Sequence, residues 1–568
     1  MAPPLHRRSW RQSRASALIF AAAFFSAGFI LFFYSRPSYV APIPDLETSP
    51  SLASPDDTNP CFVDLDLLRQ YSSTATVQYA RLEIAVTSTE NFTGYTDTLS
   101  TRFPKFHTVR LDTEAPREDL SPEKCTATVT IEGPQPSAPP DASHIIFGLS
   151  TSTDRLIDSL DAFAHWAAGT NARILAVVDS GGRKKEAERR AQALGIRLTI
   201  LQEDNERLDR YFYLVQYLYK HKDKSTQWVV MMDDDTFFPS MTRLVDRLAT
   251  YDASMPQYVG AVTEDLQQMY SSGYMAYGGA GIFLTIPLLE QLQPWFDECY
   301  VFKGGGDHML SQCIYKHTNT KLSWERDLFQ LDLRGDASGF YEAGRAQPLS
   351  VHHWKSWFQA DMVALSKASS ICGEECLLHR WLLQDEWYLV NGFSVIKYST
   401  VSDDPLAMEQ TWNASQYTGP NPFTYSLGPL RRKDEKKISF RMRDVVQEKE
   451  RVRQIYVHEV TPEELEVLEV EEAGKYVKLP STSSSPRGTR PSHLIAPGQA
   501  RSVNLPTCLV EVPAFASSRR AVMETNFSLI SCIAFLWAAT PPPASPTMNG
   551  SPQLLQVARF AGSNQKPM

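Results

Sequence analysis

Asp233-Asp234-Asp235 follows directly on the apolar run Trp228-Val229-Val230-Met231-Met232. A hydrophobic strand that ends in clustered carboxylates brings like charges to the edge of a sheet, where they repel unless a cation lies among them. Mn2+ or Mg2+ holding a diphosphate is the simplest such cation; a solvated acidic turn is the bland alternative. Downstream, Tyr277-Gly278-Gly279-Ala280-Gly281 permits close backbone approach to a ligand, or simply a tight turn. Gly304-Gly305-Gly306-Asp307 sets a carboxylate behind open backbone, as a base or as a helix N-cap. His352-His353 offers nitrogen beside Trp354 and Trp357, either as metal ligands or as packed, hydrogen-bonded core. Cys372, Cys376 and His379 suggest zinc, but a fourth ligand is not evident.

Alternating elements must position these groups. His144 to Leu149 reads as a buried strand and Asp154 to Ala168 as an amphipathic helix. Strands at Ala172 to Val178 and Ile196 to Leu201 alternate with helices at Arg183 to Leu194 and Leu208 to His221, and the run before the aspartates is the fourth strand. This order predicts an α/β fold, a mostly parallel sheet with helices on both faces. Ligands collect at the carboxyl ends of such strands, where the aspartates fall. A helix from Met241 to Tyr251, a strand around Tyr258 to Val262, a helix from Pro287 to Phe296 and another from Asp307 to Tyr315 are expected next.

The chain of 568 residues, 43% hydrophobic, is long enough for two or three domains. Its net charge of -9 and lack of a large basic patch argue against nucleic acid. Ala15 to Tyr34 carries no charge and is preceded by Arg7, Arg8, Arg11 and Arg14. At about 20 residues it suits one bilayer crossing, with the N-terminus cytoplasmic and the rest lumenal. A cleaved signal peptide competes, although its apolar core is usually about 7–15 residues. The expected layout is a cytoplasmic tail (1–14), a transmembrane anchor (15–34), a stem and lumenal preface (35–140), the α/β domain (141–365), a smaller strand-containing region (366–478) and a disordered tail (479–568). Asn91 and Asn413, with Asn526 and Asn549, fit the N-glycosylation pattern. Disulfides Cys61–Cys125, Cys299–Cys313 and Cys372–Cys376 are the pairings considered.

The segment Trp228 to Phe238, the Tyr277 to Gly281 stretch, the Gly305-Gly306-Asp307 element and Ser350-Val351-His352-His353-Trp354 occur in the order found in Fringe-like glycosyltransferases, and resemble the fungal and plant branch of glycosyltransferase family 31. The resemblance covers roughly residues 141 to 365. It implies a GT-A fold, a UDP-sugar donor, Mn2+ (or Mg2+) and inversion at the anomeric carbon. It also implies metal contact by Asp235, with Asp233 near the ribose or the metal's water shell, Asp234 shaping the donor-side turn, and His352 as a further ligand. Asp307 matches the proposed base. Ser150, Thr151 and Arg155 lie where the family binds nucleotide, Asp179 beside uracil or ribose, Gly279 and Gly281 under the sugar, and Trp354 against the acceptor or in the core. Phe329 stands where related sequences often carry histidine, which leaves the third ligand open. The acceptor implied is a glycoprotein, glycolipid or cell-wall glycan, and the location a Golgi or ER membrane. Two rivals are a haloacid-dehalogenase-like phosphatase, disfavoured by Phe237 and by the strand's fourth position, and a catalytically silent lumenal lectin that keeps the fold.

Overall fold

The computed structural model describes residues 62–464 apart from 73, 90–96, 104–105, 122–126, 205–206, 303, 359, 401, 403, 405–406, 414–418, 448–450 and 462–463. The expected anchor, the expected tail, Asn91, Asn526, Asn549 and the Cys61–Cys125 pairing lie outside the described residues. Among the described residues, no helix is long and apolar enough to cross a membrane.

The α/β part begins with strand β1 (Ile145–Thr151), all of whose residues are buried. There follow helix α1 (Thr153–Ala167), β2 (Arg173–Val178), α2 (Lys184–Ala193), β3 (Arg197–Gln202), α3 (Arg207–Lys220) and β4 (Trp228–Met232). Then come α4 (Met241–Leu248), β5 (Tyr258–Gly260), β6 (Ile282–Thr285), α5 (Gly306–His317) and β7 (Leu322–Trp324). Seven strands form one sheet in the order β7-β5-β6-β4-β1-β2-β3. β4, β1, β2 and β3 run parallel, while β6 is antiparallel to both β4 and β5. The continuous apolar strands are explained by cores on both faces. Phe147, Val230 and Met232 join α1 on one side, and Ile146, Val229 and Met231 join α3 and α5 on the other. This is the mostly parallel layout that the alternation predicts.

Two differences from expectation have local causes. The helix expected from Pro287 to Phe296 is Ile286–Leu292 followed by the short turns Gln293–Trp295 and Phe296–Cys299, because Pro294 lacks the N–H needed to continue an α-helix. The helix expected to reach Tyr251 stops at Leu248.

The preface and the smaller C-terminal region belong to one sheet. Thr76–Ser88 pairs antiparallel with Arg451–Glu459 and parallel with Ala127–Gly133, and Arg451–Glu459 pairs with Ile438–Gln447. Leu82, Ile84, Val129, Trp381, Phe440 and Tyr456 make its core. Cys299 and Cys313 form a disulfide that ties Phe296–Cys299 to α5. Cys372 and Cys376 form a second, so these two sulfurs are not zinc ligands beside His379.

Candidate metal and transfer site

Sheet register assembles the site. Met232 stands opposite Leu149, so the aspartates leave β4 beside Ser150 and Thr151 at the end of β1. Because β6 runs antiparallel, with Ile282 opposite Met231, the preceding glycine turn Gly278–Ala280 arrives at the same end. An isolated antiparallel bridge between Phe237 and Val351 then brings His352 to the aspartates.

His352 Nε2 lies 3.0 Å from Asp235 Oδ1 and 3.3 Å from Asp233 Oδ2, and its Nδ1 lies 3.0 Å from the Gln330 carbonyl. A carbonyl only accepts, so Nδ1 carries a proton and Nε2 is the nitrogen presented to the carboxylates. Burial would depress the basicity of His352, but the hydrogen bonds and charges of Asp233 and Asp235 outweigh it and raise its pKa to about 10. Burial opposes ionisation of Asp235 too, yet the His352 hydrogen bond and charge pull its pKa below the usual carboxylate range. A metal ion at Nε2 would replace the proton that the two carboxylates favour there. Asp235, His352 and His353 offer ligand atoms within 4.8 Å of one another. Carboxylate and imidazole donors with a hydrogen-bonded outer nitrogen suit a divalent transition ion, so these residues fit the metal that the resemblance implies.

The third member of this candidate set is His353, while the Phe329 ring packs edge-on against Phe340 at 4.9 Å, against the core. His353 Nε2 is 3.4 Å from Asp332 Oδ1, and its ring lies between His352 (centroids 3.6 Å) and Trp357 (3.7 Å, 5° between planes). Behind Asp332 is Glu264, which accepts from the Asp332 N–H at 3.1 Å. Burial, then the nearby Asp332 charge, push Glu264 up to about 8. The adjacent histidine letters pointed to His353; Asp332 and Glu264 left no signal, since isolated acids are common.

Asp234 faces the other way. Its carboxylate accepts from Arg155 Nε at 2.6 Å and Nη2 at 2.5 Å, and also from the Thr151 hydroxyl. Its carbonyl accepts from Ser159 at 2.8 Å. Asp234, Thr151 and Arg155 therefore brace the turn against α1, and the guanidinium, with its side chain 44% exposed, presents an outer edge beside the aspartates. Ser150 is buried beside them at the end of β1. Asp179 accepts from the N–H and hydroxyl of Thr153, both at 3.3 Å, in the first turn of α1.

Gly279 lies under His352 itself: a Cβ there would overlap the imidazole, so this glycine makes room for a protein ring. The loops are tied together by Thr236, whose hydroxyl donates to the Gly279 carbonyl at 2.8 Å and accepts from the Asp233 N–H at 3.0 Å. Gly281 has φ of 95°, the left-handed region that favours glycine. Asp307 is not the N-cap of α5, a place held by Gly305. Its carboxylate accepts from the N–H groups of Gly278 at 3.3 Å and His308 at 2.8 Å. Burial raises its pKa despite these bonds, and the charge of Asp233 adds to the rise.

Of the two places open to Trp354, the structure has the core: at 7% exposure it packs among the apolar side chains behind the site. The exposed indole of this loop is Trp357, at 51%. Asn413 is exposed.

A family model described as "Protein of unknown function, DUF604" matches residues 267–360. No curated protein matches the chain. Among solved structures, the apo-form glycosyltransferase GlyE of Streptococcus pneumoniae TIGR4 is 11% identical, with TM-score 0.27 over 41% of this chain and 61% of that one. The chain thus spans about three-fifths of GlyE's length. Mouse xyloside xylosyltransferase 1 is 10% identical, with TM-score 0.25 over 37% and 96% of the two chains. S. aureus TarS is 12% identical, with TM-score 0.24 over 32% and 35%. At scores of this size nothing about this chain's chemistry follows from them.

Proposed function

We propose that residues 141–365 are the catalytic domain of a metal-dependent, inverting glycosyltransferase of the GT-A, Fringe-like kind, which moves a hexose or N-acetylhexosamine from a UDP-sugar to a glycan acceptor. The carrying observation is that Asp233, Asp235, His352 and His353 meet at the carboxyl end of the central strand, with the basic carboxylate of Asp307 in the field of Asp233. Asp235, His352 and His353, with Asp233 alongside, would hold Mn2+ or Mg2+. Such an ion, when bound, neutralises charge developing on a leaving diphosphate. Asp307 takes the proton of the attacking hydroxyl; its raised pKa makes it the stronger base. The outer edge of Arg155 faces phosphate, while its inner edge holds Asp234. The anchor over 15–34 gives a type II orientation in the Golgi or ER membrane, and the two disulfides suit an oxidising lumen. The acceptor class is a glycoprotein, glycolipid or cell-wall glycan.

The test is UDP release by the full chain, made in a secretory host, from a panel of UDP-sugars with Mn2+, with EDTA and with Asp235→Ala. Metal-dependent turnover lost in the variant is expected; metal-independent turnover, or neither binding nor turnover, refutes the reading. Protease protection in intact microsomes checks the orientation.

A further inference from the structure

The loop after Val351 sends its aromatic side chains to opposite destinations. Trp354 enters the core, and Lys355 pins the loop to α1 by donating to the Arg155 carbonyl at 3.1 Å and to Ser159 Oγ at 2.5 Å. The His353 carbonyl accepts from the N–H groups of Trp357 and Phe358, both at 3.1 Å, which folds the chain back over the His353 ring. His353 has φ of 57°, a left-handed conformation that is strained for a residue with a Cβ. Strained backbone, a pinned loop and a near-parallel stack hold an indole whose inner face covers a candidate metal ligand while half its surface meets solvent. Burial does not account for that placement, because the same loop already buries Trp354.

An indole face is electron-rich and attracts the positively polarised C–H groups of a sugar ring's apolar face. We propose that Trp357 is the platform on which a hexopyranose ring stacks in this site. This rests on the transferase reading, which supplies sugar as the ligand class; the ring belongs to the donor or to the acceptor, and both present the same C–H face.

Saturation-transfer NMR on the full chain distinguishes these sources. One arm uses UDP-hexoses and UDP-N-acetylhexosamines with Mn2+, the other methyl hexopyranosides without nucleotide, each against wild type, Trp357→Ala, Trp357→Phe and Asp235→Ala. Expected is a ligand whose ring C–H protons take the strongest saturation and whose affinity falls about tenfold in Trp357→Ala but stays within about threefold in Trp357→Phe. The arm in which it appears identifies donor or acceptor. Unchanged affinity in Trp357→Ala, or no pyranose bound by wild type in either arm, overturns the platform. The transferase reading is tested separately: it fails if wild type shows no Mn2+-dependent UDP-sugar binding or if Asp235→Ala keeps that binding unchanged, whereas the platform stands if a methyl hexopyranoside still binds through Trp357.

Discussion

Gly279→Ala probes the site at its tightest point. The residue is not among the glycines with positive φ, so alanine meets no backbone objection there and the effect is steric. The new methyl would fall on His352 Cε1, Nδ1 and Nε2 alike. Non-bonded carbons settle at about 3.5–4.0 Å, so the ring must retreat by about an ångström or more. It has nowhere to go without loss: Nδ1 is held at 3.0 Å by Gln330, and Nε2 at 3.0 and 3.3 Å by Asp235 and Asp233. Moving the glycine instead breaks the 2.8 Å bond from Thr236 that ties the two loops. A misplacement of about 1 Å is worth about 10²-fold in rate, and a displaced metal-ligand partner about 10–100-fold in metal affinity. Overpacking itself costs about 1–3 kcal/mol, little enough for the chain to remain folded. Electron paramagnetic resonance of free Mn2+ gives the affinity with UDP present, and UDP release gives the rate. Gly182→Ala, with nothing within 4 Å of its Cβ, is the control and should match wild type. Gly279→Ala with wild-type Mn2+ affinity and kcat/KM within threefold would refute the assignment of His352 to the metal.

Asp307→Asn should lower kcat by about 10²–10⁴-fold while Mn2+-dependent UDP-sugar binding persists, and the acid limb of the wild-type rate profile should lie above the ordinary carboxylate range; equal loss of binding would make Asp307 a structural residue. Lys437 Nζ sits between Glu342 at 2.9 Å and Glu409 at 2.8 Å, so Lys437→Met leaves these carboxylates only the longer ion pairs with Arg441 at 3.7 Å and Arg431 at 3.6 Å and should cost about 3 kcal/mol in urea unfolding. Glu264 has a folded pKa raised to about 8 from 4.5, so the folded chain keeps a proton that the unfolded chain releases, and stability falls as pH rises through that window. Unfolding free energies from urea titrations at pH 5 and 8 should differ less in Glu264→Gln, by on the order of a few kcal/mol; an unchanged difference would show that Glu264 does not retain its proton.

β1 and β4 were legible as continuous buried runs and β2 and β3 by their place between helical periodicities, and the Trp228 to Met232 run pointed to the aspartates without help from pairing. β5 was legible around Tyr258 to Val262, whereas β7, three residues long, is too short to carry a pattern. Among the tryptophans of one loop, reading could not tell inward from outward, since the left-handed turn at His353 cancels the alternation on which such reading depends. Gly279 was legible as a place of close approach, but the approaching group is a histidine 73 residues on, which no local pattern announces.

The pairing of Thr76–Ser88 with Arg451–Glu459 also sets a clock. Glu83 and Arg451, bonded at 3.3 Å, are 368 residues apart. At about 5–20 residues per second, the ribosome needs on the order of tens of seconds to deliver the second strand after the first. Ala127–Gly133 arrives early and covers one edge of Thr76–Ser88, but the other edge waits with its N–H and C=O groups open, a template for the wrong strand. A chain begun at Asp141 and kept to its far end would remove that waiting strand and leave Arg451–Glu459 with the open edge instead, so omitting the preface trades a transient hazard for a permanent one.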